Sequence, residues 1–249
     1  MRFFWILLWR ELLKCFCSPA MPIGLVSFSV ITASLAFYLG GFYESNKATL
    51  SYFFAFHPWL YLFILPMVSS CVSRLNQECS ETAFLMTMPI SVCTFVLSRF
   101  ACAWLVVAAM LLLTSPMIWT VNYLGNPDNG VIASCYVGSW LVAGVFLAVG
   151  CCASAMTNIR FTAYLLTLVT CFFLLACGMP FVSKYLVIWM DSKTVGNIFD
   201  SSLLNIYELI CCGILNAQGL LVVISLIVAF LSATVVVFNF KKTVLGNSF

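Results

Sequence analysis

Long unbroken apolar runs, separated by short clusters of polar and turn-forming residues, set the pattern of this 249-residue chain. The runs are solid, as from Leu105 to Leu113 and from Leu220 to Phe230. A β-barrel strand would instead alternate apolar and polar residues at every second position. A helix satisfies its own backbone hydrogen bonds, as hydrocarbon demands, and needs roughly 20 apolar residues to cross a bilayer. The pattern therefore predicts an all-α integral membrane fold in one domain, with six transmembrane helices at about 21–40, 53–73, 93–121, 132–155, 160–179 and 218–239. The third run is too long for a straight crossing, so it must tilt, extend beyond the bilayer or kink near Pro116.

The segments between the runs carry their own signals. Phe3 to Trp9 is apolar and follows Arg2, as at the start of a signal peptide, but Arg10, Glu11 and Lys14 interrupt it before any cleavage site. A lipoprotein reading at Cys15 fails because Lys14 stands where a small residue is expected. On a helix, Arg10, Glu11 and Lys14 fall within about a 100° arc, which suits a helix over about 2–17 lying in the membrane interface. The alternative is a plain extension of the first span. Pro19 and Pro22 mark the break into that span. Between the fifth and sixth spans, Phe181 to Met190 and Leu203 to Leu215 are each too short to cross, so they read as interfacial or re-entrant helices. They would form either a lid over a translocation path or a packed external cap.

Charge then sets orientation. With six spans, one face holds Arg2, Arg10, Lys14, Arg74, Arg99, Arg160, Lys241 and Lys242, and the other holds Lys47, Lys184 and Lys193. Eight against three is a positive-inside bias that places both termini in the cytoplasm. The formal net charge of +3 is this topology signal. It is not a nucleic-acid footprint, since no basic patch is interleaved with stacking aromatics. Only 8% of residues are charged, against about 25% in a soluble domain, and short loops leave no room within these residues for a soluble catalytic domain.

Several chemistries lack their residues. No Gly-Lys pair exists, so there is no phosphate-cradling P-loop, and ATP hydrolysis would need a partner chain. Ion-coupled transport usually places acidic or histidine side chains on the path. The predicted spans hold no Asp or Glu, and the only histidine, His57, sits beside Pro58 and Trp59 and reads as interfacial. One histidine and no carboxylate in the spans also argue against metal-dependent or carboxylate chemistry of a membrane-embedded enzyme, which leaves cysteine nucleophiles open. The 13 cysteines form no C-x-x-C and read as small apolar filler. Gly138, Gly144, Ala148, Gly150 and Ser154 in the fourth span mark a close helix approach, either a dimer seam or internal packing. Trp5, Trp9, Trp59, Trp119, Trp140 and Trp189 read as aromatic-belt anchors.

The inside segment from Arg74 to Pro89 is polar first and apolar later, with Ser80, Glu81 and Thr82 placed to cap a short helix. It is followed by Ile90-Ser91 and then Val96-Leu-Ser-Arg99-Phe. This order resembles ABC-2 type transporter permeases, and most of all their gliding-motility, GldF-like branch. Trp9-Arg-Glu-Leu12 with Ser18-Pro19 resembles the elbow helix of that family, and Ala148-Val-Gly150 with Ser154-Ala-Met-Thr-Asn158 resembles the end of its fourth span. The family often has a Gly-Thr pair and then a Glu in the inside segment, where this chain has Ser80-Glu81 and Ala83.

The resemblance implies a permease subunit in a bacterial cytoplasmic (inner) membrane, and an exporter rather than an enzyme. Its partners would be two cytoplasmic ABC ATPase subunits, a second permease copy or paralogue, the lipid bilayer and a periplasmic accessory protein, with no nucleic acid. ATP and Mg would sit on the ATPase, and no cofactor on this chain. Glu78, Glu81, Thr82 and Pro89 would couple to the ATPase, and Arg10, Glu11 and Lys14 would belong to the elbow helix. The alternative from another class is a non-transporting subunit that passes ATPase-driven motion to an envelope or motility complex.

Overall fold

The computed structural model describes residues 2–17, 20–38, 50–73, 91–125, 127–157, 159–189, 196–197, 199–214 and 216–246. These residues are almost entirely helical and contain no strand. In chain order the helices are α1 (Arg2–Cys17), α2 (Ala20–Tyr38), α3 (Ser51–Ala55), α4 (His57–Ser73), α5 (Val92–Leu113), α6 (Pro116–Leu124), α7 (Asn129–Met156), α8 (Arg160–Ala176), α9 (Pro180–Trp189), α10 (Leu203–Cys211) and α11 (Ala217–Gly246). Among the described residues, four helical stretches are long and apolar enough to cross a membrane: Met21–Tyr38, Val92–Leu124, Asn129–Met156 and Ala217–Thr243. Phe161–Ala176 is apolar and shorter. The chain is thus an all-α protein with the helices of a multi-pass membrane protein.

The long third run breaks where its proline predicts. Pro116 has no N–H to give to the preceding turn. The backbone tightens there, with Thr114 N–H and Ser115 N–H donating to Leu111 O and Leu112 O at 3.0 and 3.1 Å. The Thr114 hydroxyl donates to Leu111 O at 2.6 Å. The turn-rich sequence after α6 starts α7 cleanly, because the Asp128 carboxylate accepts from Gly130 N–H at 2.9 Å.

α7 is the hub of the bundle. Every residue from Val142 to Gly150 is buried, and the helix packs against α4, α5, α8, α10 and α11. Its small residues face partners inside the chain, which decides between a dimer seam and internal packing in favour of the latter. A Cβ on Gly138 would meet Ile210 of α10, and one on Gly144 would meet Trp104 of α5 and Ile227 of α11. One on Gly150 would collide with the Ser69 side chain of α4.

Trp140 is not a belt anchor. It stacks on Trp104 with ring centroids 4.1 Å apart and an interplanar angle of 9°. Each indole N–H donates to the other residue's carbonyl, at 3.0 Å from Trp104 and 3.2 Å from Trp140. An indole N–H in an apolar bundle needs an acceptor, and this reciprocal pair supplies both, clasping α5 to α7. Trp5, Trp9 and Trp119 are exposed on the outside of the bundle, as anchors would be.

Candidate functional site

Residues of interest fall into two groups, one where α1 meets α5 and one under α10. On α1, Leu7, Leu8, Glu11 and Cys15 are buried, while Phe3, Trp5, Ile6, Trp9, Leu13 and Phe16 are exposed. The sequence suggests Arg10, Glu11 and Lys14 as one polar arc, but the structure divides it. Glu11 lies four residues from both Leu7 and Cys15 and so shares their inward face, leaving it 1% exposed. Arg10 keeps 37% of its side chain exposed and reaches back to donate to Glu11 Oε1 at 2.8 Å. A buried carboxylate persists only with such a partner. Lys14, four residues from Arg10, is half-buried.

The facing surface of α5 carries Arg99, 6% exposed, with its guanidinium carbon 4.9 Å from the Phe95 ring centroid. That contact combines charge with the ring quadrupole. One turn along, Cys102 Sγ stands 4.0 Å from Cys15 Sγ. The coupling residues Glu78, Glu81, Thr82 and Pro89 lie outside the described residues. They precede α5 in the sequence, and the first turn of α5 is capped by Ser91 Oγ accepting from Thr94 N–H at 3.4 Å.

The second group surrounds His57. The interfacial reading of this residue is overturned, because its side chain is 0% exposed. Phe28, Phe53, Phe54 and Tyr61 place their ring centroids 4.8 to 5.7 Å from it. The signal that could have found this was the run of aromatics at 52–54, 59 and 61 on neighbouring turns. Nδ1 donates to Phe53 O at 3.0 Å, so Nε2 carries the lone pair, and it has no hydrogen-bond partner among the described residues. Tyr61 is likewise 0% exposed. The imidazole thus sits inside an aromatic core. Replacing His57 with Phe keeps the ring and removes an unsatisfied acceptor, so thermal unfolding in detergent should show a change within about 1 kcal/mol. A loss of several kcal/mol would reveal a partner for Nε2.

Above this core, α10 is fastened by one residue that the sequence did not single out. The Tyr207 hydroxyl donates to Phe54 O at 2.8 Å and lies 3.1 Å from the Ser139 hydroxyl. It thereby ties α10 to α3 and α7. Tyr207→Phe keeps the ring and deletes both bonds, leaving a buried carbonyl short of a donor. The expected cost is about 1–2 kcal/mol, read as faster amide exchange in α10 while α7 stays protected. Unchanged exchange in α10 would show that Tyr207 does not hold it.

No protein-family model matches the chain, and no curated protein matches it either.

Proposed function

We propose that this chain is the membrane subunit of an ABC-2 type ATP-driven exporter. In this reading α2, α4, α5 with α6, α7, α8 and α11 are its six spans, and both termini lie in the cytoplasm of a bacterial cell. α1 is the elbow helix, and α9 and α10 are re-entrant helices on the external side. The segment 74–89 is the coupling helix, with Glu78, Glu81, Thr82 and Pro89 toward the ATPase. Two ATPase subunits supply ATP and Mg, and a second permease copy completes the complex.

One observation carries this reading. α1 packs on α5, with Cys15 Sγ 4.0 Å from Cys102 Sγ, and α5 is the helix that follows the segment 74–89 in the sequence. A helix docked on the span that follows this segment in sequence gives a push from a soluble partner a route into the bundle. The outward side of α1 supports its place at the membrane, since Phe3, Trp5, Ile6 and Trp9 are all exposed there beside the half-exposed Arg10. The outer sides of α8 and α11, with Phe161, Leu165, Phe173, Leu221, Val228 and Phe240 exposed, suit lipid or a second copy.

The test is ATPase stimulation. The chain is reconstituted in nanodiscs with the P-loop ATPase that co-purifies with it from its native membrane. It should raise hydrolysis above that of the ATPase alone, and replacing Glu78, Glu81 and Thr82 together by Ala should remove the increase. An ATPase indifferent to the chain would overturn the proposal.

A further inference from the structure

The thiols of Cys15 and Cys102 come from helices 87 residues apart in sequence, are both buried, and place their sulfurs 4.0 Å apart. Glu11 stands one turn before Cys15 on α1, and Arg99 one turn before Cys102 on α5. Both act on the two sulfurs through their charge. Glu11 Oε2 is a buried carboxylate oxygen with no hydrogen-bond partner among the described residues. The geometry points to a binding site for one soft monovalent metal ion, of the Cu(I) or Ag(I) kind, held between the two cysteines.

Three features support this. A metal–thiolate bond is about 2.3 Å, so two bonds to one ion span about 4.6 Å when opposed and about 3.8 Å at the tetrahedral angle. The observed 4.0 Å lies between these limits, and the sulfurs would part by about 0.6 Å to reach the opposed arrangement of a two-ligand ion. Thiolates select soft ions, and among the described residues no third His, Cys, Asp or Glu joins the pair to complete a metal-binding group. A zinc site wants four ligands, whereas a d¹⁰ monovalent ion is content with two.

Two thiolates and a monovalent ion bring one negative charge, and Arg99, the Arg10–Glu11 pair and the half-buried Lys14 next to Cys15 leave an excess of positive charge to face it, as a buried anion requires. Binding releases two protons, one from each thiol. The vacant Glu11 oxygen is an acceptor on their way past Arg10 to the surface. No electrons move. Because the ligands come from α1 and α5, an ion here locks those helices together, and this holds whether or not the permease proposal does.

The test uses the full chain in detergent, reduced, with Cu(I) delivered by a chromophoric chelator and bound copper counted per chain. Cys15→Ala and Cys102→Ala should each lose one Cu(I), and the double variant should lose the same single ion. Cys171→Ala, a buried cysteine in α8, should lose none. Gel filtration shows that each variant is folded, and apolar replacement of these thiols should not disturb it. Several results would overturn the site. These are unchanged copper in both single variants, additive losses in the double variant, or equal occupancy by Zn(II). So would a wild-type chain that takes no copper when reduced and forms a Cys15–Cys102 disulfide with peroxide.

Discussion

Replacing Trp104 by Ala is expected to lower the stability of the bundle by about 3 kcal/mol, the low end of the range for removing a large core side chain. The loss combines the stack on Trp140 at 4.1 Å with both reciprocal hydrogen bonds between α5 and α7. In a bilayer the apolar surface gains little by leaving water, so packing and interhelical hydrogen bonds carry the association, and this clasp supplies both. For a chain of this size the melting temperature in detergent should fall by about 6–12 °C. Trp119→Ala is the control. Trp119 is 77% exposed and its loss should cost no more than about 0.5 kcal/mol. Equal effects from the two variants would mean that the clasp does not hold α5 to α7.

Gly150→Leu should be the other large effect, at about 3 kcal/mol, the upper range for overpacking a core. A Cβ at this position runs into Ser69, a side chain too short to swing aside. α4 and α7 must therefore separate to admit it. Ser69→Gly alone should cost about 0.5 kcal/mol through helix propensity, since its hydroxyl is buried without a hydrogen-bond partner among the described residues. The double variant should melt above Gly150→Leu, because the glycine at 69 vacates the space the leucine needs. A double variant that melts no higher than the single would show that Ser69 is not what the new side chain meets.

How far the sequence reveals this fold depends on how local each signal is. Solid apolar runs located α2, α4, α7 and α11 to within a few residues, apart from the C-terminal continuation of α11, because lipid-facing and core-facing positions alike are apolar. Pro116 announced the break between α5 and α6 because a missing N–H acts within one turn. The small residues of α7 announced a close approach but not its partner, since Ile210, Trp104, Ile227 and Ser69 lie far away in the chain. Trp140 was misplaced for the same reason, as Trp104, which answers it, is 36 residues earlier. His57 was misplaced because its neighbours Pro58 and Trp59 resemble an interface, while Phe28 of α2 and Tyr61 enclose it. Glu11 shares a polar arc with Arg10 and Lys14 on paper, yet the arc is broad enough for α5 to claim one edge of it. The joint of α1 with α5 thus emerged only from tertiary packing, and the pairing of Cys15 with Cys102 emerged with it.

The measurement that bears most directly on the central claim is purification of the tagged chain from its native membrane in mild detergent, with its companions identified by mass spectrometry. The account predicts a co-purifying P-loop ATPase that is lost when Glu78, Glu81 and Thr82 are replaced by Ala. A chain that purifies alone, or with membrane proteins only, would contradict it.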